Sequence, residues 1–422
     1  MIDRSKPPEF KIIKNISLPK IKHFSFEKNI NFNLIPNSID QVISLFINFR
    51  GGAWVQDKPF VADTTVNMFK QGTKTKSSKE IVNILNFFAV KYKAYSTNHY
   101  CHINLTLLKK YLKQTLDLLS EMLLQPAFVE NELSIYLNNN KQSYLIELQE
   151  VETQAQNIFY KNIYGSSHPY GIYGLPEDYD KITRSDIINY HKKVFVKENI
   201  YLTGAGNFNE KDISLLKNFL AKLKQGNRIN FEYNPIKPSD KKFIYEQRPD
   251  SLQSAIFIGN QTIHYTHPDY MKLLFVIFAL GGYFGSRLMA NIREEKGLTY
   301  SIYSYINTSL KASNIVIEAS VKKEKKEQVI EEIRKEIQKL KNKGLSENEL
   351  NISKNLLMAK IFKLTDGTYS FAKFLNSLYA KDLDHTYIIN LANTIQKIDN
   401  KTILDISNKY LCFENFYKIV VG

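Results

Sequence analysis

Eight histidines and two cysteines are the side chains in this sequence best suited to a transition metal, so their spacing comes first. Many zinc peptidases place two histidines four apart on one helix face with a carboxylate between them, the imidazoles as ligands and the carboxylate as base. No such pair occurs here. His99 and His102 lie three apart around Cys101, in the run His-Tyr-Cys-His, and His264 and His267 also lie three apart. On a strand, His99 and Cys101 share a face and His102 points away. The run therefore reads as ordinary strand and not as a metal site. His168-Pro169-Tyr170-Gly171 reads as a turn.

Residues 280–304 (LGGYFGSRLMANIREEKGLTYSIYS) carry a different chemistry. Gly281, Gly282 and Gly285 give a permissive backbone ahead of a helix starting near Ser286. That helix carries Arg287 and Arg293 and ends near Gly297, and a strand starts at Thr299 and Tyr300. Arg293 and Tyr300, seven residues apart, can converge from a helix end and the next strand. A guanidinium and a phenol both donate to a peptide carbonyl, which suits orienting a scissile amide or stabilising a developing oxyanion. The plainer alternative pairs Arg293 with Glu294 or Glu295 and packs Tyr300.

The elements that must position these groups alternate in type. Residues 42–49 (VISLFINF), bounded by Gly51-Gly52, read as a buried strand, and residues 255–258 (AIFI) as another. Residues 107–124 carry apolar side chains at Leu108, Leu112, Leu116, Leu119 and Leu123 and stop before Pro126, as a helix does. Val329, Ile333, Ile337 and Leu340 form one helical stripe that Gly344 can end, and Ser346 with Glu349 supplies a capping box for the next helix. The mixed charges of residues 322–343 read as the solvated face of an amphipathic helix. Long helices and short strands, not in strict βαβ order, indicate an α+β fold.

A long repeat organises the chain. Residues 182–206 (ITRSDIINYHKKVFVKENIYLTGAG) and 398–422 (IDNKTILDISNKYLCFENFYKIVVG) match without a gap at an offset of 216 residues, 398 minus 182. Ile187/Ile403, Glu198/Glu414, Asn199/Asn415 and Gly206/Gly422 are among the identities, and both stretches read as helix, turn and strand. Such a period is too long for a solenoid and implies two homologous domains of about 200 residues. Residues 222–250 are polar and hold Gly226, Pro235, Pro238 and Pro249, which is linker composition. The expected division is 1–225, a linker at 226–244, and 245–422.

Composition agrees with a globular protein. The chain has 422 residues, 43% hydrophobic and 13% aromatic, with a formal net charge of +15. Two cysteines exclude a disulfide scaffold and suit a reducing compartment. The longest strongly apolar run, residues 273–280, is far short of the roughly 20 residues of a spanning helix. The first residues (MIDRSKPPEFKIIKN) put charges and prolines where a secretory leader has an apolar core, so a cytoplasmic location is expected. The positive charge is diffuse, and no basic run is paired with a stacking platform, so no nucleic-acid partner is expected.

The run LGGYFGSRLMANIREEKGLTY resembles the second-domain signature of the M16 (pitrilysin-like) zinc metallopeptidases. Residues 51–73 (GGAWVQDKPFVADTTVNMFKQGT), Pro126-Ala127-Phe128, residues 168–171, residues 204–206 and residues 267–270 (HPDY) extend the resemblance along most of the chain. It implies two related α+β domains, each a mainly antiparallel sheet packed with helices, and pairs of such subunits enclosing a peptide chamber.

The departure from that family carries the functional expectation. Active members have His-x-x-Glu-His in the helix before the Gly-Thr step. Aligned on Met68 and Gly72-Thr73, this chain has Asp63, Val66 and Asn67 at the first histidine, the glutamate and the second histidine. Valine cannot act as a base, and asparagine is a poor substitute for imidazole. Glu147 is assigned to the family's third ligand, a glutamate on a later helix, with spacing that also admits Glu150. No zinc and no hydrolysis are expected from the chain alone. Arg293 and Tyr300 match the family's substrate-holding pair in type and spacing. The resemblance therefore implies a non-catalytic subunit. It would act with a homologous partner that bears His-x-x-Glu-His and zinc, form a homodimer if that partner is absent, and take peptides as substrates. The alternative is a catalytically dead peptide-binding or scaffold homologue.

Overall fold

The computed structural model describes residues 16–422 apart from 28–29, 38–40 and 233; the N-terminal residues read above for a leader lie outside the described residues. The first half builds a six-stranded sheet from β1 (Lys22–Phe26), β2 (Ile30–Pro36), β3 (Val42–Arg50), β4 (Lys91–Ser96), β5 (Tyr100–Leu108) and β6 (Ile200–Gly206), in the order β1-β2-β6-β3-β5-β4. Among the described residues, seven α-helices accompany it: α1 (Val61–Met68), α2 (Ser78–Phe87), α3 (Leu112–Leu124), α4 (Glu130–Glu147), α5 (Val151–Tyr164), α6 (Arg184–Val194) and α7 (Glu210–Lys222). The second half builds a five-stranded sheet from β7 (Phe243–Glu246), β8 (Gln253–Thr262), β9 (Thr299–Thr308), β10 (Ser313–Lys322) and β11 (Tyr417–Val421), in the order β7-β11-β8-β10-β9. Its helices are α8 (Tyr270–Gly281), α9 (Lys326–Lys343), α10 (Glu347–Thr365), α11 (Thr368–Tyr379), α12 (Thr386–Lys397) and α13 (Asn400–Tyr410).

The two sheets share one topology. β2 runs parallel to β6, which is antiparallel to β3, then β5 and β4. β7 runs parallel to β11, which is antiparallel to β8, then β10 and β9. The sequence repeat maps onto α6–β6 and onto α13–β11. The capping box at Ser346 forms: Glu349 N–H donates to its hydroxyl at 3.3 Å, and the Ser346 N–H donates to the Glu349 carboxylate at 2.7 Å. One helix boundary differs from the sequence expectation. Leu107 and Leu108 still belong to β5, paired with Ile43 and Val42, and the helix proper starts at Leu112. Their apolar spacing suits a strand face as well as a helix stripe, and cross-strand pairing decides.

β3 is buried along nearly its whole length because both sheet faces are covered. Ile43, Leu45, Ile47 and Phe49 enter the core of the first half. Phe46 and Asn48 face α11 of the second half: Phe46 lies 5.6 Å from the Tyr369 ring, and Asn48 Nδ2 donates to Asn376 Oδ1 at 2.7 Å. The exchange is reciprocal. α5 of the first half buries Ala155, Phe159 and Ile163 against Phe257, Ile419 and their neighbours on β8 and β11. Each half therefore lends a helix to the other's sheet. The stretch between Lys222 and Phe243 carries no helix or strand among its described residues, yet it is laid on the body. Ile229 and Phe231 are buried in the first core, and Ser239 N–H donates to the Asn162 carbonyl at 2.8 Å.

Candidate functional site

α1 places Asp63, Val66 and Asn67 within one helical turn. Asp63 and Asn67, four apart, share a face, and the Asn67 amide donates to Asp63 Oδ2 at 3.1 Å and to the Asp63 carbonyl at 2.9 Å. Asp63 Oδ1 accepts the Ser96 N–H of β4 at 3.1 Å, and Oδ2 also accepts the Tyr136 hydroxyl of α4 at 3.3 Å. Tyr136 thus joins the Asp63–Asn67 pair from a second helix. Burial and the Asp63 charge push its phenol well above the ordinary value, so it stays a donor. Val66 is fully buried in the core of the first half.

Glu147 ends α4 and is exposed, as is Glu150, which immediately precedes α5. Glu147 lies eleven residues beyond Tyr136 on the same helix, roughly 16 Å along its axis. The structure joins Asp63 with Asn67 and Tyr136 and does not bring Glu147 to them by any hydrogen bond. Among the described residues, no three His, Cys, Asp or Glu side chains are grouped as a metal requires. A hydrogen-bonded carboxylate, an amide and a buried isopropyl group do not fit zinc. Tyr136 escaped the sequence reading because it meets Asp63 only through tertiary packing, 73 residues away in the chain.

Arg293 and Tyr300 sit on two backbone irregularities. Arg293 lies in a π-helical turn, Met289–Glu295, of the kind that recurs at functional sites. Tyr300 is the extra residue of a β-bulge: Ser301 pairs with Ser320 and Thr299 with Val321, leaving Tyr300 unpaired. A bulge re-aims the side chain it carries, and Tyr300 is 64% exposed. The Thr299 hydroxyl holds the bulge from within, 2.6 Å from the Ser320 carbonyl.

The two arginines of this segment differ in use. Arg287 is committed to structure, donating to both carboxylate oxygens of Glu349 at 2.7 and 3.0 Å and to the Gly344 carbonyl at 2.6 Å. Among the described residues, Arg293 has Glu294 at 3.7 Å and the exposed Phe284 ring at 5.1 Å. The plainer sequence alternative is therefore half realised: Arg293 lies near Glu294, but Tyr300 does not pack.

The π-turn is clamped from α9. Asn291 donates to Glu336 at 2.6 Å and to Glu332 at 3.3 Å, and Lys296 pairs with Glu332. The bond from Lys296 holds the Glu332 carboxyl down at about 2. Both glutamates are buried, so part of the charge read as a solvated helix face is internal.

The histidine run also departs from its sequence reading. β5 begins at Tyr100, so His99 belongs to the preceding turn, and His99 and His102 line one cavity while Cys101 is buried beside the Tyr190 hydroxyl. Alternation along a strand does not extend past the strand's end. Burial lowers His99 to about 3 and His102 to about 4. His168 is buried in the turn expected of it, its carbonyl accepting the Gly171 N–H at 2.8 Å.

Two related α+β halves that exchange helices, with no grouped metal ligands among the described residues, describe a peptidase-like scaffold. Two family models match: Insulinase (Peptidase family M16) over residues 61–168 and Peptidase M16 inactive domain over residues 181–357. The chain belongs to the M16 peptidase family.

It is similar to "Uncharacterized zinc protease YmxG" of Bacillus subtilis, 23% identical over 79% of this chain and 80% of that one. It is also similar to "Non-peptidase homolog YmxG" of Helicobacter pylori, 25% identical over 86% and 84%. The crystal structure of a peptidase M16 inactive domain from Pseudomonas fluorescens superimposes with a TM-score of 0.87 at 20% identity, covering 95% of this chain and 98% of that one. No helix among the described residues is long and apolar enough to cross a membrane.

Proposed function

We propose that this chain is the non-catalytic subunit of a cytoplasmic, heteromeric M16-type zinc endopeptidase. A homologous partner with His-x-x-Glu-His would supply the zinc and the general base. This chain would supply Arg293 and Tyr300 in trans, donating to the carbonyl of the bound peptide where negative charge develops during attack. The observation that carries the reading is the pair of irregularities at Arg293 and Tyr300. A π-turn and a bulge both cost regular hydrogen bonding, and here both turn a donor toward solvent with little else to hold. The converted α1 site supports the division of labour, since its groups satisfy one another.

The test is hydrolysis of a quenched-fluorescent peptide mixture by this chain, by a His-x-x-Glu-His partner from the same source, and by the two together. Chelator-sensitive cleavage only in the mixture supports the reading. Chelator-sensitive cleavage by this chain alone, surviving purification, would overturn it. A scaffold or peptide-binding role without hydrolysis is the second reading, supported by the non-peptidase description of the Helicobacter pylori relative. It predicts that Arg293→Ala leaves the rate of the mixture unchanged.

A further inference from the structure

A cavity of about 320 Å³ lies between the two halves, inside the size range of small-molecule sites. Its walls come from the first sheet, from the tip of the β9–β10 hairpin and from the end of α11. Phe46, Tyr95, Tyr100 and Leu310 give it an apolar lining. Lys373 and Lys381 also line it, and among the described residues no aspartate or glutamate does. The larger cavity nearby, of about 560 Å³, is different: Arg50 and Arg228 there face Asp382 and Asp384, so its charges compensate each other.

Neither Lys373 nor Lys381 forms an ion pair among the described residues. Burial holds the Lys381 ammonium below its usual pKa, the mark of a charge removed from water without a counter-charge. Two further groups at the cavity lack partners. His99 Nδ1 and Asn104 Oδ1 are buried with no hydrogen bond, and His99 is only 5% exposed.

The Lys311 N–H donates to the Tyr170 oxygen at 3.0 Å, and Tyr170 shares a hydrogen bond of 2.6 Å with His99 Nε2. Burial favours the neutral His99 ring, whose Nδ1 is left without a partner. Buried polar groups without partners are rare, and each calls for an explanation.

We propose that this cavity binds a small organic anion, a phosphate or carboxylate carried on a ring or short apolar body. The lysines meet the anionic group, and the aromatic walls meet the body. The site lies at the join of the halves and does not depend on Arg293, Tyr300 or any peptidase partner.

The chain carries its own reporter, because its single tryptophan, Trp54, lies 4.7 Å from the His99 ring. The experiment is a Trp54 fluorescence titration of the full chain with phenyl phosphate and with benzoate. Phenol and potassium chloride at matched ionic strength serve as controls. The expected result is a saturable change with at least one of the two anions and none with the controls. Lys381→Ala should weaken binding about tenfold or more, as expected for loss of a charged hydrogen bond. Lys373→Ala, at an exposed position that leaves folding intact, should weaken it several-fold. No saturable change with either anion would overturn the proposal. So would parental affinity in Lys373→Ala and in any Lys381→Ala protein that retains the parental circular dichroism.

Discussion

Placing the family's His-x-x-Glu-His side chains on α1 should damage the protein before it creates chemistry. The perturbation is Val66→Glu, alone and then with Asp63→His and Asn67→His. Val66 is fully buried in the first core, among apolar side chains. An uncompensated buried charge costs about 3–5 kcal/mol, and the lost burial of the isopropyl group adds about 1–2 kcal/mol. The sum, about 4–7 kcal/mol, is a large part of a typical net stability of about 5–15 kcal/mol. Nor would the triple variant complete a zinc shell, because Tyr136 occupies the approach from α4 and Glu147 is exposed at its far end. Urea unfolding followed by circular dichroism measures the stability, and equilibrium dialysis followed by metal analysis measures the zinc. A triple variant that unfolds at the parental urea concentration and retains one equivalent of zinc would refute the reasoning.

Arg293→Ala should leave the urea midpoint unchanged, since its one ionic neighbour among the described residues is 3.7 Å away. In the mixed assay it should lower the rate about tenfold or more, as loss of an oxyanion-side donor does; an unchanged rate favours the scaffold reading. Phe159→Ala should cost about 3–5 kcal/mol, and because α5 belongs to both halves, circular dichroism and Trp54 fluorescence should report one shared transition. Separate transitions would show that the halves fold independently. His99 and His102 titrate at about 3 and about 4 when folded, below the value near 6.5 of an exposed ring. The unfolded chain therefore binds protons that the folded chain does not, so their contribution is full above about pH 6.5 and declines as the pH falls toward 4 and 3. Urea midpoints at stepped pH should follow that course, with a shallower decline in His102→Gln; an identical decline in the variant counts against the assignment.

The repeat, the strand at β3 and the capping box at Ser346 were legible because each is written locally, in periodicity or in a short-range hydrogen bond. Arg293 and Tyr300 could be picked out by type and spacing, but the π-turn and the bulge that aim them could not. Those depend on Glu332 and Glu336 from α9 and on a register shift against β10. Tyr136 and the shared cavity of His99 and His102 lay out of reach for the same reason. Their neighbours are set by how α4 crosses α1 and by where β5 begins. The reciprocal placement of α5 and α11 was also invisible, since a helix stripe records that it is buried and not which sheet buries it.

That exchange has a consequence for synthesis. α5 leaves the ribosome long before β8 and β11, the strands that cover it. At about 5–20 residues per second the delay until β11 is complete is roughly 10–50 s. Through that interval Ala155, Phe159 and Ile163 have no sheet beneath them, and the face of the first sheet bearing Ile35, Phe46 and Ala205 has no α11 above it. The nascent first half is thus a sticky intermediate. It is open to capture by chaperones, or by an α11 from another copy translated on the same message.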